Sequence, residues 1–207
     1  MDMDFEAQLD DVRNRLQVGL ERECADKRGG AAVVIPLLPG EDGLQVLFQV
    51  RAFDLPRQPG EVCFPGGHIE RGEDPLHAAI RETCEELLLD SSQVRIDADL
   101  GQVVGPGGMP LWLYVGTISD YRGTFDAEEV DHVFTMPLAW FQEHPARVYS
   151  GSYVPVLPDD FPWELIPNGR DYDWRRHRND VYFYPGTEPV IWGFTARTMQ
   201  RFVDLLG

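Results

Sequence analysis

The sequence predicts an α/β protein, a mixed β-sheet sandwiched between α-helices, and three observations carry that expectation. Ala31 to Leu38 is a continuous β-branched and apolar run, and Leu44 to Arg51, Val94 to Val104 and Leu111 to Ile118 read as further strands, set apart by turns and loops rich in Pro and Gly. Helical spacing of apolar residues recurs in Phe5 to Ala25, in the stretch after Asp74 and in Ala196 to Leu206. No Ser/Gly-rich linker divides the 207 residues. One domain over 1–207 is therefore expected, with 1–28 as an N-terminal helical extension.

The elements follow in order. Phe5, Leu9, Val12, Leu16 and Leu20 form a stripe on a charged helix, able to pack on the domain or against a second copy, which leaves a homodimer open. Gly29-Gly30 ends it. Ala31 to Leu38 reads as a buried strand, and Pro39 to Gly43 as the turn of a hairpin with Leu44 to Arg51. A loop with Pro56, Pro59 and Gly60 then delivers the chain to a short strand, Val62-Cys63-Phe64. Asp74 is a good N-cap, and Pro75 suits the first helical position, where a missing N–H costs nothing. Leu76, Ile80, Thr83 and Leu87 form the stripe expected to pack on the core. After two more strands, Asp131 to Thr135 is strand-like, Pro137 opens a short helix over Leu138 to Glu143, and Ala196 to Leu206 is a last amphipathic helix.

Composition narrows the function. The net charge is −17, from 35 acidic against 18 basic residues, a field that argues against nucleic acid polymers and anionic membrane surfaces as partners. An anionic small molecule would then need a metal and a local arginine cluster to bind. Cys24, Cys63 and Cys84 are scattered and odd in number, which reads as reduced thiols in a cytoplasmic setting. The Met1-Asp2-Met3-Asp4 start does not read as a signal peptide, and the longest apolar run is too short to span a bilayer.

Chemistry concentrates between Phe64 and Asp90. Glu82, Glu85 and Glu86 are spaced i, i+3, i+4, which places them together, roughly opposite the apolar stripe. On a plain helix such a group would be a solvated acidic face. Here Phe64-Pro65-Gly66-Gly67 precedes it, backbone that can approach a ligand closely, and Glu73 and Arg81 can pair beside it. Carboxylate oxygens in this number suit Mg²⁺ or Mn²⁺ better than Zn²⁺. Arg51 and Arg57, just upstream of the glycines, are the nearest cations, and a planar guanidinium suits phosphate. A second basic cluster, Arg170 with Arg175-Arg176-His177-Arg178, reads as charge compensation, or else as capture of a terminal phosphate. Trp163, Tyr172 and Trp174 nearby read as core or lid aromatics, or else as rings on which an adenine stacks. The five histidines fit no metal spacing.

This stretch resembles the Nudix box, G-x5-E-x7-R-E-U-x-E-E-x-G-U, where U is bulky and apolar. Gly67, Glu73, Arg81, Glu82, Glu85, Glu86 and Leu89 fall on its fixed positions. Thr83 occupies a U position, and Leu88 stands where the family has glycine. The preceding segment resembles the coenzyme A diphosphatase type, LLTxRSxxLRxHxGQVxFPGG, through Leu47, Arg51, Leu55, Gly60, Val62 and Phe64-Pro65-Gly66-Gly67. Ala52, Pro56, Gln58 and Glu61 depart from it. A Trp192-Gly193-Phe194-Thr195-Ala196 stretch is similar to one near the C-terminus of that type.

The resemblance implies a Nudix-type fold and hydrolysis of a diphosphate, with Mg²⁺ or Mn²⁺ held by Glu82, Glu85, Glu86 and the Gly67 carbonyl. Water is the implied nucleophile, and Glu86 or Glu129 the base. Glu129 enters because Glu129-Val130 precedes a strand ending in Pro137-Leu138, as in many family members. Arg81 is expected to orient Glu73 and Glu82. Three readings follow: a diphosphatase for coenzyme A or acyl-coenzyme A, one for another nucleoside diphosphate derivative such as ADP-ribose, and a non-catalytic binding module. Leucine at position 88 is expected to let the helix continue, with the break moved to Asp90 or Ser91.

Overall fold

The computed structural model describes residues 30–40 and 43–207. The expected N-terminal helix lies outside the described residues. Two compact units make up the chain, Met1–Trp140 and Phe141–Gly207.

The first unit is built on a mixed seven-stranded sheet. β1 (Ala31–Gly40) and β2 (Gly43–Arg51) form the antiparallel hairpin that their apolar runs predict. β6 (Pro110–Ile118) runs parallel to β1, and β5 (Val94–Val104) pairs antiparallel with β6. β7 (Val130–Pro137) covers the other edge of β2. Beyond the turn that joins them, β1 and β2 part company. Ala31–Val33 of β1 pairs with β4 (Gly66–His68), whereas Gln49–Val50 of β2 pairs with β3 (Val62–Cys63). The link from β3 to β4, Phe64-Pro65, therefore crosses where the hairpin opens, with Val34 N–H donating to the Pro65 carbonyl at 3.0 Å. Gly66 is required there: a Cβ would meet the Ala32 carbonyl and the Val33 backbone, and its φ of 140° suits no other residue.

The helix α1 (Pro75–Leu87) starts as expected, with Asp74 accepting from Leu76 N–H at 2.9 Å and Pro at the first turn. Its buried face differs from the predicted stripe. Ala78, Ala79, Thr83, Glu86 and Leu87 are buried, whereas Leu76 and Ile80 are only partly so. The small residues win because the helix lies close to the sheet: Ala78 and Ala79 pack with Ala32, Val34, Ile69 and Tyr114. At its last residue, Leu87 joins Leu38, Leu47 and Ile118 in a second cluster. The Thr83 hydroxyl is satisfied by the Ala79 carbonyl at 2.7 Å.

The helix stops at Leu87, which overturns the expectation that it runs on to Asp90. Leu88 adopts the left-handed conformation, φ 52° and ψ 51°. The reason is that every one of the last four carbonyls has a partner that this turn brings. Leu89 N–H donates to Cys84 O and Leu88 N–H to Glu85 O, the pattern of a Schellman cap. Asp126 N–H takes Glu86 O at 2.8 Å, and the Thr124 hydroxyl takes Leu87 O at 2.7 Å. The turn also carries Leu89 against the Leu87 cluster while leaving Leu88 58% exposed. Asp90 instead caps the following 3₁₀ turn, Ser91–Gln93.

The second unit holds three antiparallel strands, β8 (Arg147–Tyr153), β9 (His177–Tyr184) and β10 (Ile191–Trp192), none of which the sequence pattern predicts. The short helix α2 (Leu138–Glu143) falls at the boundary between the units, and α3 (Gly193–Leu206) packs on β9 and β10. Phe141 meets Tyr184 edge-on at 4.9 Å, and Tyr184, Ile191, Ala196 and Met199 are fully buried. Gln200 ties this core together, accepting from Ala146 N–H at 2.7 Å and from the Tyr184 hydroxyl at 3.1 Å.

Candidate active site

The opening between β1 and β2 is where the acidic helix meets the glycine backbone. Arg81 organises one side of it. Its Nε and one terminal nitrogen grip Glu73 through both carboxylate oxygens at 2.9 Å. The other terminal nitrogen donates to Glu82 at 2.9 Å and Glu85 at 3.0 Å, and the fifth N–H reaches the His68 carbonyl at 3.1 Å. All five guanidinium donors are thus used within the protein, so Arg81 fixes carboxylates and has none left for a ligand. These hydrogen bonds hold the Glu73 carboxyl below the usual range. Glu73 also accepts from Glu70 N–H at 2.9 Å.

The three helix glutamates occupy different environments, which corrects the expectation that they share one face opposite the stripe. The Glu85 side chain is 62% exposed. Glu82 is mostly covered: burial raises its carboxyl, against the opposing pull of Arg81. Its carboxylate lies over Gly67, where a Cβ would collide with it. Glu86 is only 3% exposed, on the core side of the helix, and accepts from Gly66 N–H at 2.8 Å. Burial pushes its carboxyl up to about 7, with the Gly66 N–H opposing and the Glu82 and Glu129 charges adding to the rise. Glu129 is exposed, and its backbone carbonyl accepts from Ala52 N–H at 2.9 Å. Its charge adds to the rise of both the Glu82 and the Glu86 carboxyls.

Arg51 ends β2 and Arg57 lies in the loop that follows, with Arg51 Nε donating to the Arg57 carbonyl at a long 3.4 Å. Gln58 and Glu61, two of the positions that depart from the coenzyme A pattern, bond each other at 2.9 Å. Arg170 lies in the second unit, stacked on the Trp163 ring at 5.3 Å, and Arg178 pairs with Asp180 there. Sequence reasoning passed over one residue beside the site, Gln49. Gln49 is 1% exposed on β2, directly across from Cys63. A lone polar residue within Leu47-Phe48-Gln49-Val50 was the signal that could have found it.

Among the described residues no group of three His, Cys, Asp or Glu converges as a ready-made metal cage. The donor set still fits a hard cation. Glu82 and Glu85 each give one oxygen to Arg81, and Glu86 gives one to Gly66, which leaves one oxygen on each outside these bonds.

The carboxylates of Glu73, Glu82 and Glu85, held by Arg81, and of Glu86, held by Gly66 N–H, thus gather beside the glycine backbone of β4. A NUDIX domain model matches residues 27–156, and the chain belongs to the Nudix hydrolase family, with its α/β fold. Nudix hydrolase 3 of Caenorhabditis elegans is 34% identical over 187 residues, 88% of this chain and 75% of that protein. The peroxisomal coenzyme A diphosphatase of Mus musculus is 36% identical over 132 residues. That match covers 63% of this chain and 55% of the mouse protein, so the chain spans about half of that relative. The Nudix hydrolase NudL of Enterobacter sp. (strain 638) is 36% identical over 209 residues, 96% of this chain and 95% of that one. Among the described residues, no helix is long and apolar enough to cross a membrane.

Proposed function

We propose that this Nudix hydrolase cleaves the diphosphate of coenzyme A or an acyl-coenzyme A, releasing adenosine 3′,5′-bisphosphate and a phosphopantetheine. The observation that carries the reading is the acidic cradle, in which Arg81 fixes Glu73, Glu82 and Glu85 while Gly66 holds Glu86 over the opened hairpin. The Leu47 to Gly67 frame and the similarity to the mouse enzyme support the substrate class. Glu82, Glu85, Glu86 and the Gly67 carbonyl would hold Mg²⁺ or Mn²⁺. When bound, such a cation neutralises the diphosphate and makes water a stronger nucleophile.

The chain's own residues do the rest. Arg81 keeps the carboxylates in place, so little reorganisation is needed when charge develops. Arg51 and Arg57 supply cations for the phosphate oxygens. Glu129 or Glu86 takes the proton of the attacking water at a carboxylate oxygen. Free Cys63 and Cys84 agree with a reducing, cytoplasmic setting.

A second reading rests on one contact. The Gln58–Glu61 bond occupies two positions where the coenzyme A pattern has other polar groups, which favours a different diphosphate such as ADP-ribose. A panel of coenzyme A, acyl-coenzyme A and ADP-ribose separates the two. The first reading expects kcat/KM for a coenzyme A substrate to lead. Faster ADP-ribose turnover would replace it with the second.

A further inference from the structure

Gln49 is the polar side chain that the functional reading leaves unused. Leu47, Gln49 and Arg51 alternate along one face of β2. Leu47 packs with Leu87 of α1, and the next residue along that face of the strand comes beside Glu86, Leu87's neighbour on the helix. Gln49 lies near enough to act on the Glu86 carboxyl and on the Cys63 thiol across the strand pair. Yet among the described residues neither Nε2 nor Oε1 meets a hydrogen-bond partner. A buried amide with both ends unpaired is costly, and an apolar side chain of the same length would remove that cost. The thiol is a poor reason for it: burial pushes Cys63 up to about 12, so it stays neutral. The Glu86 carboxylate is the better one, because Gly66 N–H holds only one of its oxygens.

We propose that Gln49 is a positioning residue whose Nε2–H turns to the open oxygen side of Glu86 and orients that carboxylate for divalent-cation binding. The inference rests on the reading of Glu86 as a ligand. Outer partners of metal ligands commonly change metal affinity about 10- to 100-fold when removed. Gln49 would then be unpaired without the cation because its partner settles into place only with it.

The test titrates the full chain with Mn²⁺, following free ion by electron paramagnetic resonance. Gln49→Met keeps the length of the side chain and removes both polar ends. It should weaken Mn²⁺ binding about tenfold or more, while thermal unfolding without metal stays at or above that of the parent. In a Glu86→Gln background, Gln49→Met should cause no further loss. Should Gln49→Met fail to fold, Gln49→Asn, which withdraws the amide by one methylene, should show the same weakening. Parent-like Mn²⁺ affinity in the folded variant overturns the proposal, and so does an equal loss in the Glu86→Gln background. A parent chain that binds no Mn²⁺ would instead overturn the metal-site reading itself.

Discussion

Glu86→Gln should make the metal-free protein more stable and less active at once. Glu86 is 3% exposed, and burial raises its carboxyl from 4.5 to about 7. Below about pH 4.5 both the folded and the unfolded chain carry the proton, and the folded state bears no penalty. Between 4.5 and 7 the folded protein holds a proton that the unfolded chain has lost, so this contribution to stability drains away as pH rises. Above 7 the loss is complete, and the shift corresponds to roughly 3 kcal/mol. A neutral amide of the same shape keeps the acceptor for Gly66 N–H and avoids the charge. Urea unfolding in EDTA should therefore find Glu86→Gln more stable by roughly 2–3 kcal/mol at about pH 8, with the gap closing towards about pH 5. Saturating Mn²⁺ should narrow or reverse the order, since ligand binding stabilises the chain that binds it better. A variant no more stable than the parent at about pH 8, or a gap independent of pH, would refute the buried-charge argument.

Other outcomes follow from the same geometry. Glu85→Gln and Glu86→Gln should each cut turnover by roughly a hundredfold or more, the scale of losing a key electrostatic group; a variant near the parental rate removes that residue from the machinery. Leu88→Gly should stabilise the fold by about 1 kcal/mol, because an exposed leucine is held in the left-handed conformation. Lower stability by thermal or urea unfolding would show that Leu88 makes up the strain elsewhere. Gly67→Ala should weaken Mn²⁺ binding in titration, since its Cβ would displace the Glu82 carboxylate; unchanged affinity would place Glu82 outside the metal's shell.

Much of the frame was legible because it is written locally. The hairpin and the β6 strand are largely apolar runs bounded by turn residues, and the start of α1 is announced by Asp74-Pro75. What was not legible depends on distant partners. The end of α1 is settled by Thr124 and Asp126, some forty residues downstream, which take the Leu87 and Glu86 carbonyls. Propensity at Leu88 had no means of registering them. Glutamate spacing placed Glu86 with its neighbours, but the buried arc of the helix is wide enough to include it, next to Thr83 and Leu87. Ala78 and Ala79 escaped the predicted stripe because small size, not hydrophobicity, lets the helix approach Ala32. β4 is a glycine pair that reads as a loop until Ala31–Val33 is there to bond it. In the second unit, β8 is exposed along its whole length, so it lacks the alternation that marks a half-buried strand.

The central claim is that the acidic cradle hydrolyses a diphosphate with the help of a divalent cation. The most direct measurement incubates the purified chain with coenzyme A in Mg²⁺, in Mn²⁺ and in excess EDTA, and identifies products by mass spectrometry. Adenosine 3′,5′-bisphosphate and phosphopantetheine should form with either cation and disappear with EDTA. Undiminished turnover in EDTA, or no diphosphate cleaved in either cation across the substrate panel, would contradict the account.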